Sequence, residues 1–209
     1  MAQSPSQPDT RQRLTEAARH LFWEKGYAAT GLSDILARAN ANSGSFYHFF
    51  ESKDALLRSV LETYVDMLEP HVLAPVRAAS TGPIDLVFGL LESYRARLLA
   101  TSFAYGCPIG RLALELDPEN VPAHDLIAQN FDAWKAAVAA AVARATLPNP
   151  DDVAAFVLTV MEGAVMQSRA HRSIEPFDAC VRQLHLHLDA LARRPRSRRA
   201  KRPSARRPR

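Results

Sequence analysis

The sequence predicts an all-α protein, and three observations support that prediction. Apolar residues recur at intervals of three and four along most of the chain, the spacing that places them on one face of a helix. No segment alternates apolar and polar residues with the period of two that a half-buried strand shows. Glycine, proline and asparagine stand where the apolar pattern breaks, and these residues favour helix ends and turns.

Two short helices are predicted close together near the N-terminus. The apolar pattern of residues 32–39 ends at Asn40, which suits the left-handed conformation that terminates a helix. A tight turn then leads to Asn42, which caps a helix over residues 43–50. Helix, short turn and helix is the arrangement of the helix-turn-helix motif.

Longer helices flank this pair. Residues 14–22 carry a helical apolar stripe that a glycine stops, and Thr30 is a possible cap for the helix that follows. Another helix begins near Ser52, and Pro70 and Pro75 are expected to kink or end it.

Five further helices are predicted beyond residue 80, and the last two have the most regular apolar spacing. They cover an apolar stripe at 84–91 opened by "TGP", the short "PIGRLALEL" at 108–116, and stripes at 127–138, 153–165 and 177–191.

The stretch "SGSFYHFF", residues 43–50, has two different faces when it is drawn as a helix. Successive side chains rotate by roughly 100°, which turns Phe46, Phe49 and Phe50 toward the domain. Tyr47 on the opposite arc can donate to phosphate, and His48 can reach phosphate or a base edge. A helical hairpin whose polar face is only solvated fits the same geometry. The outward arc consists of small and polar residues, namely Ser43, Gly44, Tyr47 and His48.

Residues 13–62 closely resemble the DNA-binding domain of the TetR/AcrR family of transcriptional regulators. The signature elements are "LFWEKGYAAT", "LSDIL", "GSFYHFF" and "SKDAL", in the expected order and spacing. The resemblance implies a three-helix, helix-turn-helix N-terminal domain that reads operator DNA as part of a homodimer. It also implies a C-terminal helical domain for ligand binding and dimerisation, with dimerisation assigned to about 151–171 and 176–192.

The resemblance also assigns roles to individual residues. It implies that Thr30 touches phosphate at the start of the second helix and that Lys53 adds a phosphate contact. Position 43 is often Lys in the family and is Ser here, whereas position 40 is often Gly and is Asn here. The reading helix is implied to contact DNA through Ser43, Gly44, Ser45, Tyr47 and His48.

Charge and composition divide the chain further. The last 17 residues hold ten Arg or Lys and no acid, so a chain of net charge +4 has a body, residues 1–192, of net charge −6. This tail either raises nonspecific DNA affinity or only solubilises the end. We expect a disordered N-terminus at 1–8, a DNA-binding domain at 9–69, a ligand-binding and dimerisation domain at 70–192, and a basic disordered tail at 193–209.

Cys107 stands at the start of a predicted helix, in "YGCPIGRLALEL". Pro108 suits the first helical position, which places Cys107 at the N-cap, where the helix dipole favours a thiolate. Arg111 would add positive charge if it pointed the same way. The thiol is then a candidate sensor of electrophiles or oxidants, and a small buried apolar side chain is the alternative interpretation.

Aromatic and methionine residues beyond residue 90 are candidates for an apolar ligand pocket or for plain core. They are Tyr94, Phe103, Phe131, Trp134, Met161 and Met166, beside Cys107 and Arg111 as sensing residues.

The sequence therefore predicts a cytoplasmic, homodimeric repressor that a small apolar or electrophilic molecule releases from double-stranded operator DNA. It predicts no enzyme activity, cofactor, metal site or membrane contact. An all-α thiol enzyme or scavenger using Cys107, and an activator of the same family, are the alternatives.

Overall fold

A computed structural model describes residues 9–193 of the protein. Every regular element in that range is helical, as predicted. The expected disordered N-terminus at 1–8 lies outside the described residues, as does the expected basic tail apart from Arg193. The helices are α1 Thr10–Glu24, α2 Leu32–Ala39, α3 Ser43–Phe49, α4 Lys53–Met67, α5 Ala74–Ala79, α6 Pro83–Ala100, α7 Pro108–Glu115, α8 Val121–Arg144, α9 Pro150–His171 and α10 Glu175–Arg193.

Local hydrogen bonds fix the turn between α2 and α3. Asn40 has φ 47° and ψ 55°, the predicted left-handed conformation. The Asn42 side chain accepts from the Ser45 backbone N–H at 2.8 Å, which confirms the predicted cap of α3. The predicted cap of α2 is wrong, because Gly31 occupies that position without a side-chain bond and Thr30 is buried before it.

The end of α4 is interrupted by a π-helical turn over Leu68–Leu73, after which the chain continues as α5. Pro70 lies inside this turn and has no N–H to donate, so an α-helical ladder cannot continue through it. The predicted break at Pro70 is confirmed. Pro75 opens α5 instead of ending a helix.

One apolar core runs through the described chain. Helix α4 packs against both α1 and α8, and α8 in turn packs against α9. Helices α2 and α3, which pack on α1, are thus connected to the later helices by continuous helical packing. Within residues 9–193, no helix is long and apolar enough to cross a membrane.

Candidate functional site

Helix α3 presents a small polar surface to solvent while two rings hold it to the core. Phe46 is completely buried and Phe50 is 4% exposed, whereas the Tyr47 side chain is 62% exposed. The outward direction predicted for Tyr47 is therefore confirmed. Ser43, Gly44 and His48 are also exposed, and Ser45 is half-buried at the margin.

Phe49 does not face inward as predicted; it is 39% exposed. Helix α3 ends at Phe49, and Phe50 has an extended backbone with φ −137° and ψ 122°. Because Phe50 lies beyond the last turn of α3, the 100° rotation per residue does not predict the direction of its ring, which enters the core. The Phe49 ring instead meets the edge of His48, with centroids 4.7 Å apart.

Two residues predicted to touch phosphate are engaged inside the domain. Thr30 is 1% exposed, and its hydroxyl donates to the Gly26 carbonyl at 2.6 Å. A phosphate contact by Thr30 remains a prediction and would require its hydroxyl to leave this bond. The Lys53 ammonium donates to the Tyr27 carbonyl at 2.6 Å and lies 4.1 Å from the Tyr27 ring centroid. Burial lowers the pKa of Lys53. A phosphate contact by Lys53 remains a prediction and would compete with these bonds.

Between the helices lies a cavity of about 200 Å³, here called the inner cavity. Its wall comes from α1, α4, the π-helical turn, α6, α7, α8 and α9, so residues of the N-terminal helices and of the later helices meet in it. Five of the predicted ligand-binding residues line it, namely Tyr94, Cys107, Phe131, Trp134 and Met161.

The other three predicted residues lie elsewhere. Arg111 and Met166 line an open groove of about 850 Å³ between α7 and α9, here called the outer groove. Phe103 stands in the turn after α6 with φ 65°, half-buried against the core, and its carbonyl accepts from Arg169 at 3.3 Å. It therefore belongs to a turn and not to the inner cavity.

Cys107 caps α7 as predicted, but its surroundings do not favour a thiolate. Its sulfur accepts from the Gly110 N–H at 3.4 Å, the geometry expected of an N-cap. Burial, together with the neighbouring Glu162 carboxylate, raises the pKa of the thiol well above its ordinary value. Arg111 does not offset this, because it points to α1. These surroundings disfavour the thiolate that a reactive cysteine needs. A sensing role for Cys107 remains a prediction.

Two polar residues of the inner cavity, Tyr64 and Glu162, were not identified from the sequence. Each has a buried side-chain oxygen without a hydrogen-bond partner among the described residues. Glu162 does carry a signal, because it lies at helical spacing between Leu158 and Val165 on an otherwise apolar face. Tyr64 carries none, since an aromatic residue on an amphipathic helix is ordinary core.

Helix α7 is also hydrogen-bonded to the C-terminal end of α1. The Arg111 guanidinium donates to the carbonyls of Lys25 at 2.7 Å and Glu24 at 3.3 Å. The Glu115 carboxylate accepts from the Tyr27 N–H at 2.9 Å. Trp23 completes the contact by donating its indole N–H to the Gly106 carbonyl at 2.8 Å. One end of α7 thus borders the inner cavity while its side chains hold the helix that supports α3.

The last two helices expose apolar side chains. Phe156 and Met166 on α9 are 44% and 59% exposed, and Leu186 on α10 is 62% exposed. Phe156 and Met166 lie ten positions apart, which at roughly 100° per residue places them about 80° apart around α9. Phe156 lies near His187 of α10, whereas Met166 borders the outer groove. These are the two helices that the sequence assigned to dimerisation.

Two family models match the chain over separate segments. Residues 14–60 match the model of bacterial regulatory proteins of the tetR family. Residues 83–183 match the C-terminal domain of LmrA/YxaF-like transcriptional regulators. The first segment contains α3, and the second contains most residues that line the inner cavity.

Whole-chain relatives agree with these matches. An HTH-type transcriptional regulator of Mycobacterium tuberculosis is 33% identical over 182 residues, covering 83% of this chain and 91% of the relative. The HTH-type transcriptional repressor DhaR of Mycobacterium sp. strain GP1 is 29% identical over 185 residues, covering 85% and 89% of the two chains.

Solved structures share the fold. A TetR transcriptional regulator from Chloroflexus aurantiacus superposes with a TM-score of 0.74 at 26% identity, covering 86% of this chain and 94% of the other. Regulatory protein TetR from Rhodobacter sphaeroides gives 0.76 at 23% identity, covering 85% and 98%. Together with the outward face of α3, these matches show that the chain belongs to the TetR family of DNA-binding transcriptional regulators.

Proposed function

We propose that the protein is a homodimeric repressor that leaves its operator when a small molecule occupies the inner cavity. Membership of the TetR family supports the regulatory role, and the relative DhaR is named a repressor. On this proposal the protein acts in the cytoplasm, where operator DNA lies, and binds its ligand without converting it.

The observation that carries the proposal is the outward face of α3. Ser43 and Gly44 have small side chains, which allow the backbone of the helix to approach a groove closely. The Tyr47 hydroxyl and the His48 ring extend from the same surface toward solvent, where they can reach phosphates. Because Phe46 and Phe50 are fixed in the core, these groups are held in place before DNA arrives.

Dimerisation is assigned to α9 and α10. Their exposed apolar side chains, Phe156, Met166 and Leu186, are the kind of surface that a second copy covers. Two copies would place two α3 helices on one duplex, about one helical turn of DNA apart or a multiple of it. We accordingly keep 9–69 as the reading domain and 70–192 as the sensing and dimerisation domain.

Release of DNA is assigned to α7, because this helix contacts both the inner cavity and α1. Cys107 at its start lines the cavity, and Arg111 one turn later holds the end of α1. A ligand that binds better when α7 is displaced would shift α1, and with it the position of α3. Such a shift requires the ligand to have different affinities for the two states.

The test measures fluorescence anisotropy of labelled duplexes taken from the DNA upstream of the protein's own gene. The full-length chain should bind one of them with sequence preference. Tyr47→Ala should weaken that binding about tenfold, since it removes an outward hydrogen-bonding group from α3. Leu114→Ala removes another exposed side chain, 84% exposed on α7, and should leave the affinity unchanged.

Failure of the full chain to bind any such duplex would contradict the proposal. So would equal losses in Tyr47→Ala and Leu114→Ala, because the effect would then be unrelated to α3. Sedimentation of the unliganded protein tests the dimer, and a monomer at the concentrations used for DNA binding would refute that part.

A further inference from the structure

We propose that the inner cavity takes a small uncharged molecule whose apolar body carries a hydroxyl or amide group, recognised by Glu162 and Tyr64. This inference rests on the proposed function, since it names the chemical class of the ligand for the same sensing site. Its basis is a pair of buried polar atoms that the protein leaves without partners.

Glu162 supplies an acceptor. One carboxyl oxygen, Oε1, is buried and has no hydrogen-bond partner within the described chain. Buried polar atoms in folded proteins nearly always have a partner, so an orphaned oxygen that borders a cavity indicates a group missing from it. Burial raises the pKa of Glu162, and a carboxyl group offers an accepting oxygen whether or not it is protonated.

Tyr64 supplies a donor. Its hydroxyl oxygen is likewise buried, and no acceptor for its proton is present among residues 9–193. The Arg19 guanidinium lies 5.7 Å from the Tyr64 ring centroid and favours the phenolate, but burial prevails and raises the pKa of Tyr64 to about 12. The side chain is therefore a neutral phenol at physiological pH, with a proton to donate.

A hydroxyl or amide group is the small uncharged group that can satisfy either atom, because it both donates and accepts. A hydrocarbon would leave both protein atoms unpaired. A ketone would pair with Tyr64 and still leave the Glu162 oxygen without a donor. An unpaired buried polar group costs free energy on binding, so the cavity should discriminate against both classes.

A net charge on the ligand would be costly to bury in this mainly apolar wall, because removing an ion from water costs far more than removing a hydroxyl group. A cation would face two guanidinium groups in the same wall, those of Arg19 and Arg97. Arg19 is neutralised by Glu16 at 2.5 Å, whereas Arg97 lies over the rings of Tyr94 and Trp23 with centroid distances of 5.3 and 5.5 Å.

The remaining wall limits the body of the ligand. Phe131, Trp134, Leu158 and Met161 make it apolar and partly aromatic. The volume of about 200 Å³ is below the roughly 300–1,000 Å³ of pockets that take drug-sized molecules. One ring or a short branched chain fits this space.

The outer groove offers the path of access. Four residues line both spaces, namely Cys107, Phe131, Leu158 and Glu162, and therefore form the wall between them. A ligand that passes from the groove into the inner cavity therefore passes beside the Glu162 side chain. The polar group of the ligand can consequently pair with the carboxyl there.

The experiment compares four probes on nearly the same skeleton by titration calorimetry with the full-length protein. They are 2-phenylethanol, n-propylbenzene, phenylacetate and 2-phenylethylamine. We expect 2-phenylethanol to bind about tenfold more tightly than n-propylbenzene, and the two charged probes to bind more weakly than the alcohol. Quenching of tryptophan fluorescence by the alcohol in the wild type, and its absence in Trp134→Phe, report whether the alcohol occupies the cavity.

Two variants test the residues separately. Glu162→Met and Tyr64→Phe each remove one unpaired polar atom and keep the shape, so both should fold. Each should reduce the preference for alcohol over hydrocarbon several-fold while leaving the affinity for n-propylbenzene unchanged or improved. Thr159→Val, on the outer groove but not in the inner cavity, is the control and should keep the wild-type preference.

Three outcomes would overturn the inference: no preference for the alcohol in the wild type, tighter binding of the acid or the amine, or a preference that survives in both variants. Absence of binding by all four probes would overturn it as well. DNA binding by the same preparation is measured independently. A protein that binds its operator but fails the probe series refutes the ligand class and leaves the proposed function standing.

Discussion

Helices α3 and α7 are almost equal in length and both are capped by the residue before them, yet they have opposite roles. Helix α3 holds two rings of its segment in the core and turns its polar side chains to solvent. Helix α7 places its cap, Cys107, against a cavity and uses polar side chains to bind another helix. Similar local signals therefore give an exposed polar surface in one case and an internal connection in the other.

The two helices differ in whether residues of the same helix or residues of distant helices set the environment of their side chains. The exposed positions of α3 follow from its own rotation once Phe46 is buried. The properties of Cys107 depend on Glu162 and Tyr94, which lie on α9 and α6. Arg111 likewise finds its acceptors on α1, more than eighty positions earlier in the chain.

The largest effect is expected from removing the buried Phe46 ring that holds α3 on the core. Phe46→Ala should lower the free energy of unfolding by about 3–5 kcal/mol, because it leaves a cavity at a completely buried site. Urea denaturation followed by circular dichroism measures the loss. Phe49→Ala on the same helix is the control and should cost about 1 kcal/mol or less, since that ring is partly exposed. Equal losses would mean that α3 is not anchored by one ring.

The contact between α7 and α1 can be strained at Gly26. This residue has φ +94°, and a Cβ there would overlap the Glu115 carboxylate and approach the Arg111 guanidinium. Gly26→Ala should therefore lower the free energy of unfolding by about 1–3 kcal/mol, measured in the same denaturation series. Gly44→Ala, inside α3, should be within about 1 kcal/mol of wild type because Ala favours a helix. An unchanged free energy of unfolding in Gly26→Ala would show that the Glu115 and Arg111 side chains move aside at little cost.

The hydrogen bonds of α7 can be removed without changing its backbone. Arg111→Met deletes the donors to the end of α1 and should lower the free energy of unfolding by about 1–2 kcal/mol. It should also change the affinity for DNA, although Arg111 lies away from α3, because α1 supports the reading helix. Arg169→Met removes a comparable guanidinium that donates to Phe103 and Ala104, and it should leave DNA affinity unchanged. Anisotropy titration distinguishes the two variants.

The smallest expected effect concerns the buried carboxyl beside the cap of α7. Burial raises the pKa of Glu162, so the folded state holds its proton at pH values where the unfolded chain has lost it. Stability then falls as the pH rises above the ordinary pKa of a glutamate, and it stops falling above the raised pKa.

Replacing this carboxyl by an amide removes the pH-dependent loss. Glu162→Gln should be about 1 kcal/mol more stable than wild type near pH 7 and equal to it near pH 4. Denaturation midpoints across that range measure the difference. The exposed Glu119→Gln should match wild type throughout. A constant difference across the range would show that Glu162 acts by packing and not by ionisation.

Much of the reading region could be predicted from short stretches of sequence. The left-handed Asn40, the Asn42 cap and the outward Tyr47 follow from residue types and helical rotation over a few positions. The error at Phe49 arose where that rotation stops, since α3 ends there and Phe50 enters the core from an extended backbone. Thr30 does not cap α2, because its hydroxyl bonds to the carbonyl of Gly26, at a turn that the sequence pattern does not describe.

By itself, the sequence determined the helical class, the break at Pro70 and the family, because these depend on local spacing, on proline's missing N–H and on a contiguous motif. Tertiary structure alone decided which polar groups lose water without gaining a partner. Glu162 and Tyr64 acquire their unpaired oxygens, and Cys107 its raised pKa, only when α4, α6, α7 and α9 enclose the same small space. Burial is a property of that enclosure, and residues nearly one hundred positions apart must meet before it exists.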